Sequence, residues 1–476
     1  MNGAMRVLVF LTMFVVWTSL RSAVAQEDET DIVRTARQFL ASTTSERADL
    51  EQTLRSYDGP IEPIIEGLVA AEKKRWDVVT GTIGAQHFAS PELREKYRDD
   101  LLYYYVPEDY VPSKPFGLMI FMHGGGAGTR REAASCIVSD PQQDSHSYGL
   151  KSHFRNAPFV IVGPSAPMSD KSSARWNLPE ADDYIAAVIR ECHYRFNIDR
   201  DRIFLGGQSM GGFGAYHLCQ RLGDRIAGGV LYAGAWSVCN WKSAIGTPLF
   251  IRHGANDAVA PGTPNKSARP RFTDVFYARS AHELLTAAGA EHVYAEDSGG
   301  HSISEAGESL EQLVEWMGQQ RRDPFAARVV AVTPCGWNAP QDTPTPHHRW
   351  VTIDEIGSGS ISFDEVKHTG PDAEWKESRE AFDQQGFELA KQNVTAGCLD
   401  ATNHGDNRIA ITTQNVMRFS IWLHPRMIDF AQPLRLTVNG RDSQLTVKRS
   451  LPDALRSYER RRDWGLIYHA ELTLTH

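Results

Sequence analysis

Long apolar runs are scarce in this 476-residue chain. After residue 25, no stretch approaches the roughly 20 apolar residues that a bilayer-crossing helix requires. Cysteine is also sparse. There are six, none in a CxxC pattern, and their spacing does not resemble a zinc site. No other metal-ligand set stands out, so neither a metal nor another cofactor is expected. A basic excess is lacking: 50 Lys and Arg face 59 Asp and Glu, a net charge of −9, which argues against a nucleic-acid binder. The cluster Arg460-Arg461-Arg462 is flanked by Glu459 and Asp463 and reads as a solvated, exposed charged stretch. Internal repeats and low-complexity segments are absent.

What remains is a composition of ordinary globular domains, 41% hydrophobic and 23% charged, in a chain long enough for two or three folded units. The first 25 residues have the layout of an export signal. Arg6 supplies a positive start, Val7 to Leu20 is mostly apolar, and Ala23-Val24-Ala25 is a small-x-small cleavage site. A secreted or periplasmic protein without stable membrane insertion after cleavage is expected, an uncleaved anchor being the alternative. Six cysteines suit export. Cys335 and Cys398 are the pair first expected to bond, out of fifteen connectivities.

Residues 26–90 read as a helical segment. Ile32, Val33, Ala36, Phe39 and Leu40 share one helix face. After the break at Asp58-Gly59-Pro60, Ile61, Ile64, Ile65, Leu68 and Val69 resume the pattern. Such a segment is either a cap or a packing arm.

Residues 91–324 alternate in style. Strands are expected at Leu101–Val106, Gly117–Met122, Phe159–Gly163, Arg202–Leu205, Ala227–Tyr232, Pro248–Arg252 and His292–Ala295. Helices are expected at Ala181–Phe196, after Ser209, at Ala278–Ala288 and at Ser304–Gln320, with a turn at Asn197-Ile198-Asp199. This alternation predicts an α/β domain with a mostly parallel sheet covered on both faces. Residues 325–476 lose the alternation. Val329–Val332, Trp350–Ile356, Arg408–Thr413, Met417–Leu423, Leu434–Val438 and Ala470–Leu474 are strand-like, and Asn439-Gly440, between Leu434–Val438 and Leu445–Val447, is a hairpin signal. A separate, sandwich-like β domain is the expectation.

The chemistry centres on Gly207-Gln208-Ser209-Met210-Gly211, a GxSxG pentapeptide between the strand at Arg202–Leu205 and the helix after it. A sharp strand-to-helix turn projects a serine hydroxyl above the sheet, and small glycines on either side prevent clashes. Downstream, the strand Pro248–Arg252 runs into Asn256-Asp257, and the strand around Tyr294 runs into Ser298-Gly299-Gly300-His301. Ser209, Asp257 and His301 thus follow the order nucleophile, acid, base, each past the carboxyl end of a strand. His301 is expected to move the Ser209 proton, and Asp257 to orient the imidazole. Asp297 and His253 are the competing acid and base.

Main-chain N–H groups of Met210 and of Gly124 or Gly125, in His123-Gly124-Gly125-Gly126, are the expected oxyanion donors. No Lys-Ser/Thr follows that loop, so it is not a phosphate cradle of the P-loop kind. Trp176 is a candidate substrate-binding residue, or else a core or surface aromatic. His347-His348 reads as a solvent-exposed linker pair.

These motifs come in a recognisable order. Tyr105-Val106-Pro107 with Tyr110, Leu118–Met122 running into His123-Gly124-Gly125-Gly126, Asp199–Ile203 before GQSMGGFGAY, then HGANDAVAP and SGGHS span about 100 to 320. In this the chain resembles secreted α/β-hydrolases related to poly(3-hydroxybutyrate) depolymerases and to feruloyl and acetylxylan esterases. The resemblance implies an ester hydrolase with Ser209, Asp257 and His301 as its triad, acting on a carbohydrate ester, a polyester or a small carboxylic ester. It extends to exopeptidase-like and phospholipase/carboxylesterase relatives, so a serine peptidase is the alternative. A non-catalytic binding protein is the reading from another class. The C-terminal run is similar to β-sandwich modules appended to secreted bacterial hydrolases.

Overall fold

The structure is a computed structural model that describes residues 31–43, 46–125, 131–169, 173–174, 176–178, 180–257, 273–303, 308–336, 347–369 and 386–475. The expected export segment at 1–25 and Gly126 lie outside the described residues. Among the described residues, no helix is long and apolar enough to cross a membrane.

Two compact units are present, and neither is continuous in sequence. Of the described residues, one takes those up to Lys73 with Trp422–Pro433 and Thr446–Leu472, the other those from Lys74 to Ile421 with Leu434–Leu445 and those from Thr473 on. The boundaries expected at 90 and 324 therefore do not separate them.

The larger unit is built on an eight-stranded sheet: β1 (Gly81–Gln86), β2 (Leu102–Val106), β3 (Phe116–Met122), β4 (Phe159–Pro164), β5 (Ile198–Gln208), β6 (Gly228–Tyr232), β7 (Leu249–Gly254) and β8 (His292–Asp297). Their spatial order is β1-β2-β4-β3-β5-β6-β7-β8. β2 runs antiparallel to β1 and β4, and the pairs from β4 to β8 are parallel. This is the α/β-hydrolase arrangement. Every residue of β3 is buried because both faces of the sheet are covered. Its side chains alternate: Leu118, Ile120 and Met122 enter one core, Met119 and Phe121 the other.

The first core takes helices α1 (Ala181–Arg195), α2 (Met210–Arg221) and α3 (Phe276–Ala288) through Ile185, Val188, Leu218, Ala281 and Leu285. The second takes α4 (Glu308–Gln319) through Leu310, Leu313 and Trp316. The turn expected at Asn197–Asp199 is instead the start of β5, whose first residue, Ile198, pairs with Phe116.

Much of the β-rich sequence belongs to this same unit. The hairpin Ile361–Thr369/Gly386–Val394 extends onto Val238–Cys239, with Asp364 opposite Cys239. Val330, Val332, Phe363 and Val394 enter the first core beside the helices. Arg221 of α2 donates through Nη1 to the Cys335 carbonyl at 3.0 Å. The Asn439-Gly440 turn forms, with both residues at positive φ, 48° and 79°, but Leu434–Val438 pairs with Arg441–Leu445, which starts directly after the turn, rather than with Leu445–Val447.

The smaller unit packs Ala36, Phe39, Leu54, Ile61, Ile64 and Leu68 against Leu451, Ala454 and Leu455 of the helix Leu451–Arg461. Arg47 clasps Glu459 with two bonds, at 2.8 and 2.5 Å. The basic cluster departs from expectation here. Arg461 is fully buried, its guanidinium 4.9 Å from the Trp422 ring centre and 5.2 Å from that of Tyr468. An amphipathic helix turns one arginine of a charged run inward, where aromatic faces receive it.

Two further expectations are corrected. His348 is buried rather than solvent-exposed, and its Nε2 lies 3.0 Å from Arg349 Nη1. Cys335 and Cys398 do not pair. The strand register sets Val332 opposite Cys398 and Thr333 opposite Gly397, which carries Cys335 past the last paired position. Its thiol contacts the Gln220 carbonyl at 3.8 Å, and Cys398 is a free, buried thiol that burial pushes up to about 11.

Candidate active site

β5 ends at Gln208 and α2 begins at Met210, so the whole change of direction falls on Ser209. Its φ of 58° and ψ of −121° are strained for a residue with a Cβ. Neighbours hold that strain: the Ser209 amide donates to the Tyr232 carbonyl at 3.1 Å, and its own carbonyl receives the Phe213 amide at 2.9 Å. The flanking glycines are required. A Cβ on Gly207 would lie 2.4 Å from the Gly211 carbonyl oxygen, and one on Gly211 would lie 2.0 Å from that of Met122. The amino end of α2 faces the serine, placing positive dipole there.

Two loops meet past the ends of β7 and β8. The Ala255 amide donates to the Asp297 carbonyl at 2.7 Å, the Asn256 amide to that of Gly299 at 3.0 Å, and Asn256 Nδ2 to that of Ser298 at 2.6 Å. This stitching brings His301 Nδ1 to 2.7 Å from Asp257 Oδ2. Asp257 is 1% exposed. Burial pushes its carboxyl up, but hydrogen bonds from His253 and then His301 outweigh that and hold it at about 2. Asp297, the competing acid, is otherwise engaged: it receives the Gly299 amide at 2.7 Å and Arg252 Nε at 2.7 Å.

Gln208 links the serine turn to the histidine loop, its Nε2 donating to the His301 carbonyl at 2.6 Å. Sequence reasoning missed this role, although the residue lies inside the pentapeptide. Tyr148 was missed as well; it lies 24 positions from its partner and carries no local signal.

The glycine loop follows β3. The Gly124 amide donates to the Tyr148 hydroxyl at 2.7 Å, and a Cβ on Gly124 would stand 3.1 Å from that of Ser209. Gly125 faces Met210, whose Cβ and Sδ would each be 3.6 Å from a Cβ placed there. Trp176 does not line an open surface. It is fully buried, and its indole N–H donates to the His123 carbonyl at 3.0 Å, so that it anchors the glycine loop from behind.

The sheet order and the strand–serine–helix turn at its centre place the chain in the α/β-hydrolase fold class. No family model matches it. A bifunctional acetylxylan esterase/xylanase of Neocallimastix patriciarum is 23% identical over 194 residues, covering 39% of this chain and 25% of that protein. The chain thus spans about a quarter of the length of the curated relative it matches. Among solved structures, a thermostable esterase is 20% identical, covering 50% of this chain and 62% of that one, with a TM-score of 0.39. A ferulic acid esterase of Anaeromyces mucronatus is 17% identical, covering 50% and 93%, with a TM-score of 0.35.

Proposed function

We propose that the protein is an exported serine hydrolase that cleaves carboxylic esters of carbohydrates through an acyl-enzyme. The observation that carries this reading is the 2.7 Å contact of His301 Nδ1 with Asp257, on a loop that Gln208 ties to the Ser209 turn. With Nδ1–H given to the carboxylate, Nε2 is the imidazole nitrogen left to act as base. Ser209 Oγ attacks the ester carbonyl carbon as His301 Nε2 takes its proton. The carbonyl π electrons move onto oxygen, and the amides of Met210 and of Gly125 receive that charge, the Gly124 amide being given to the Tyr148 hydroxyl. The C–O bond to the alcohol then breaks, and the alcohol leaves with the proton from His301. Water, deprotonated by His301, releases the acid and restores Ser209. Asp257 stays ionised throughout and stabilises the imidazolium.

The carbohydrate assignment is supported by the relative whose name includes acetylxylan esterase, and export by the pattern of residues 1–25. The test is fluorophosphonate labelling of the mature protein beside Ser209→Ala, followed by nitrophenyl esters and matched anilides. Labelling of the wild type alone, with esters preferred, is the expected result. Equal labelling of both proteins, or none of either, refutes the acyl-enzyme. A preference for anilides makes the protein a peptidase.

A further inference from the structure

Asp257 is held by more than His301. His253, the penultimate residue of β7, is 1% exposed, and its Nε2 lies 2.7 Å from the Thr273 carbonyl and 3.0 Å from Asp257 Oδ2. Neither oxygen carries a proton to give, so Nε2 itself must bear the hydrogen and share it between them. Thr273 closes the ring, its hydroxyl donating to Asp257 Oδ1 at 3.2 Å. Both carboxylate oxygens are therefore engaged, and Oδ2 lies between two imidazoles.

We propose that His253 is a positioning residue for this site, its Nε2–H fixing the carboxylate of Asp257 in the orientation that receives His301 Nδ1–H. The inference rests on the acyl-enzyme reading and deepens it. His253 is not a second base, because its ring is buried and its Nε2 proton is aimed at an acceptor. What it does is geometric. A carboxylate with a single imidazole donor can rotate about its Cβ–Cγ bond, and in a buried pocket each unfilled lone pair is costly. With Nε2–H on one side and the Thr273 hydroxyl on the other, rotation breaks two bonds at once. His301 then keeps one tautomer and one direction, and misplacement of a catalytic group by about 1 Å lowers a rate on the order of a hundredfold.

The test compares His253→Met, which fills the space without a donor, with His253→Gln, whose terminal amide offers an N–H near the Nε2 position. Hydrolysis of a nitrophenyl acetate is followed in both, with folding checked by circular dichroism. The Met variant is expected to lose about 10- to 100-fold in kcat with KM within about twofold, because orientation rather than binding is impaired. The Gln variant is expected to keep kcat within about fivefold of wild type. Unchanged kcat in the Met variant, or equal losses in two folded variants, reduces His253 to a packing residue. If the Met variant does not fold, the Gln variant decides: retained kcat supports the proposal and collapse overturns it. Failure of the underlying reading would look different, since Ser209→Ala would then remain active whatever His253 does.

Discussion

The hydroxyl of Tyr148 lies 2.7 Å from the amide nitrogen of Gly124, a bond that ties the glycine loop to a distant segment. The Gly124 amide, beside Ser209, is thus committed to Tyr148, which fixes the backbone that leads into Gly125. Tyr148→Phe removes the acceptor and keeps the ring, which packs edge-on to Phe121. About a tenfold fall in kcat is expected from the loosened loop. The stability change should be only about 1 kcal/mol. Ester hydrolysis and urea unfolding of one preparation separate the two effects.

Gly211 admits no side chain. An added Cβ would meet the Met122 carbonyl oxygen at 2.0 Å, and backbone atoms cannot swing aside as a flexible side chain can. Gly211→Ala should destabilise the fold by about 1–3 kcal/mol and displace the glycine loop that follows Met122. A lower urea midpoint together with lost activity is the expected pair of observations.

Arg221 is nearly inaccessible, yet it serves two distant parts of the larger unit. Its Nε lies 2.9 and 2.8 Å from the Asp182 carboxylate oxygens, and its Nη1 reaches the Cys335 carbonyl. Arg221→Met strands both acceptors and should cost about 3 kcal/mol. Combined with Asp182→Ala, the loss should be less than the sum of the single losses, because each single change leaves its partner uncompensated. A double-mutant cycle in urea measures this directly.

Stability should fall as pH falls from about 6.5, the ordinary histidine value, towards 4. Burial, reinforced by Arg221 and Arg349 respectively, pushes His217 and His348 down to about 3. Burial likewise brings His424 and His469 to about 4. In that window the unfolded chain binds protons that the folded one refuses, so acid favours unfolding. Each such histidine adds a slope of up to about 1.4 kcal/mol per pH unit. The depressed carboxyl of Asp257 acts lower: its stabilisation is complete above about 4 and is lost as pH falls through about 2. Urea midpoints at pH 7, 5.5 and 4.5 check the trend, and His348→Gln should flatten it.

Local signals carried a good part of the architecture. The apolar run Gly117–Met122 read as a buried strand and forms one from Phe116, the glycines around Ser209 announced a tight turn, and Asn439-Gly440 called for a hairpin turn with both residues at positive φ. The segments that went unread are those whose side chains say little. Ile361–Thr369 and Gly386–Val394 carry charges along much of their length, and they are held by main-chain bonds to each other and to Val238–Cys239. Backbone pairing leaves no mark in composition.

By itself, then, the sequence determined much of the order of strand and helix and the positions of a serine, an aspartate and a histidine past the ends of three strands, because periodicity and turn chemistry act over a few residues. Tertiary structure alone decided which groups meet. It set His253 and Thr273 around Asp257, turned Trp176 inward to hold His123, buried Arg461 between two aromatic rings, and folded much of the β-rich sequence into the same unit as the α/β sheet. Those contacts join residues far apart in the chain, and their partners are chosen by packing and by the need to satisfy buried polar groups, which no short window of residues records.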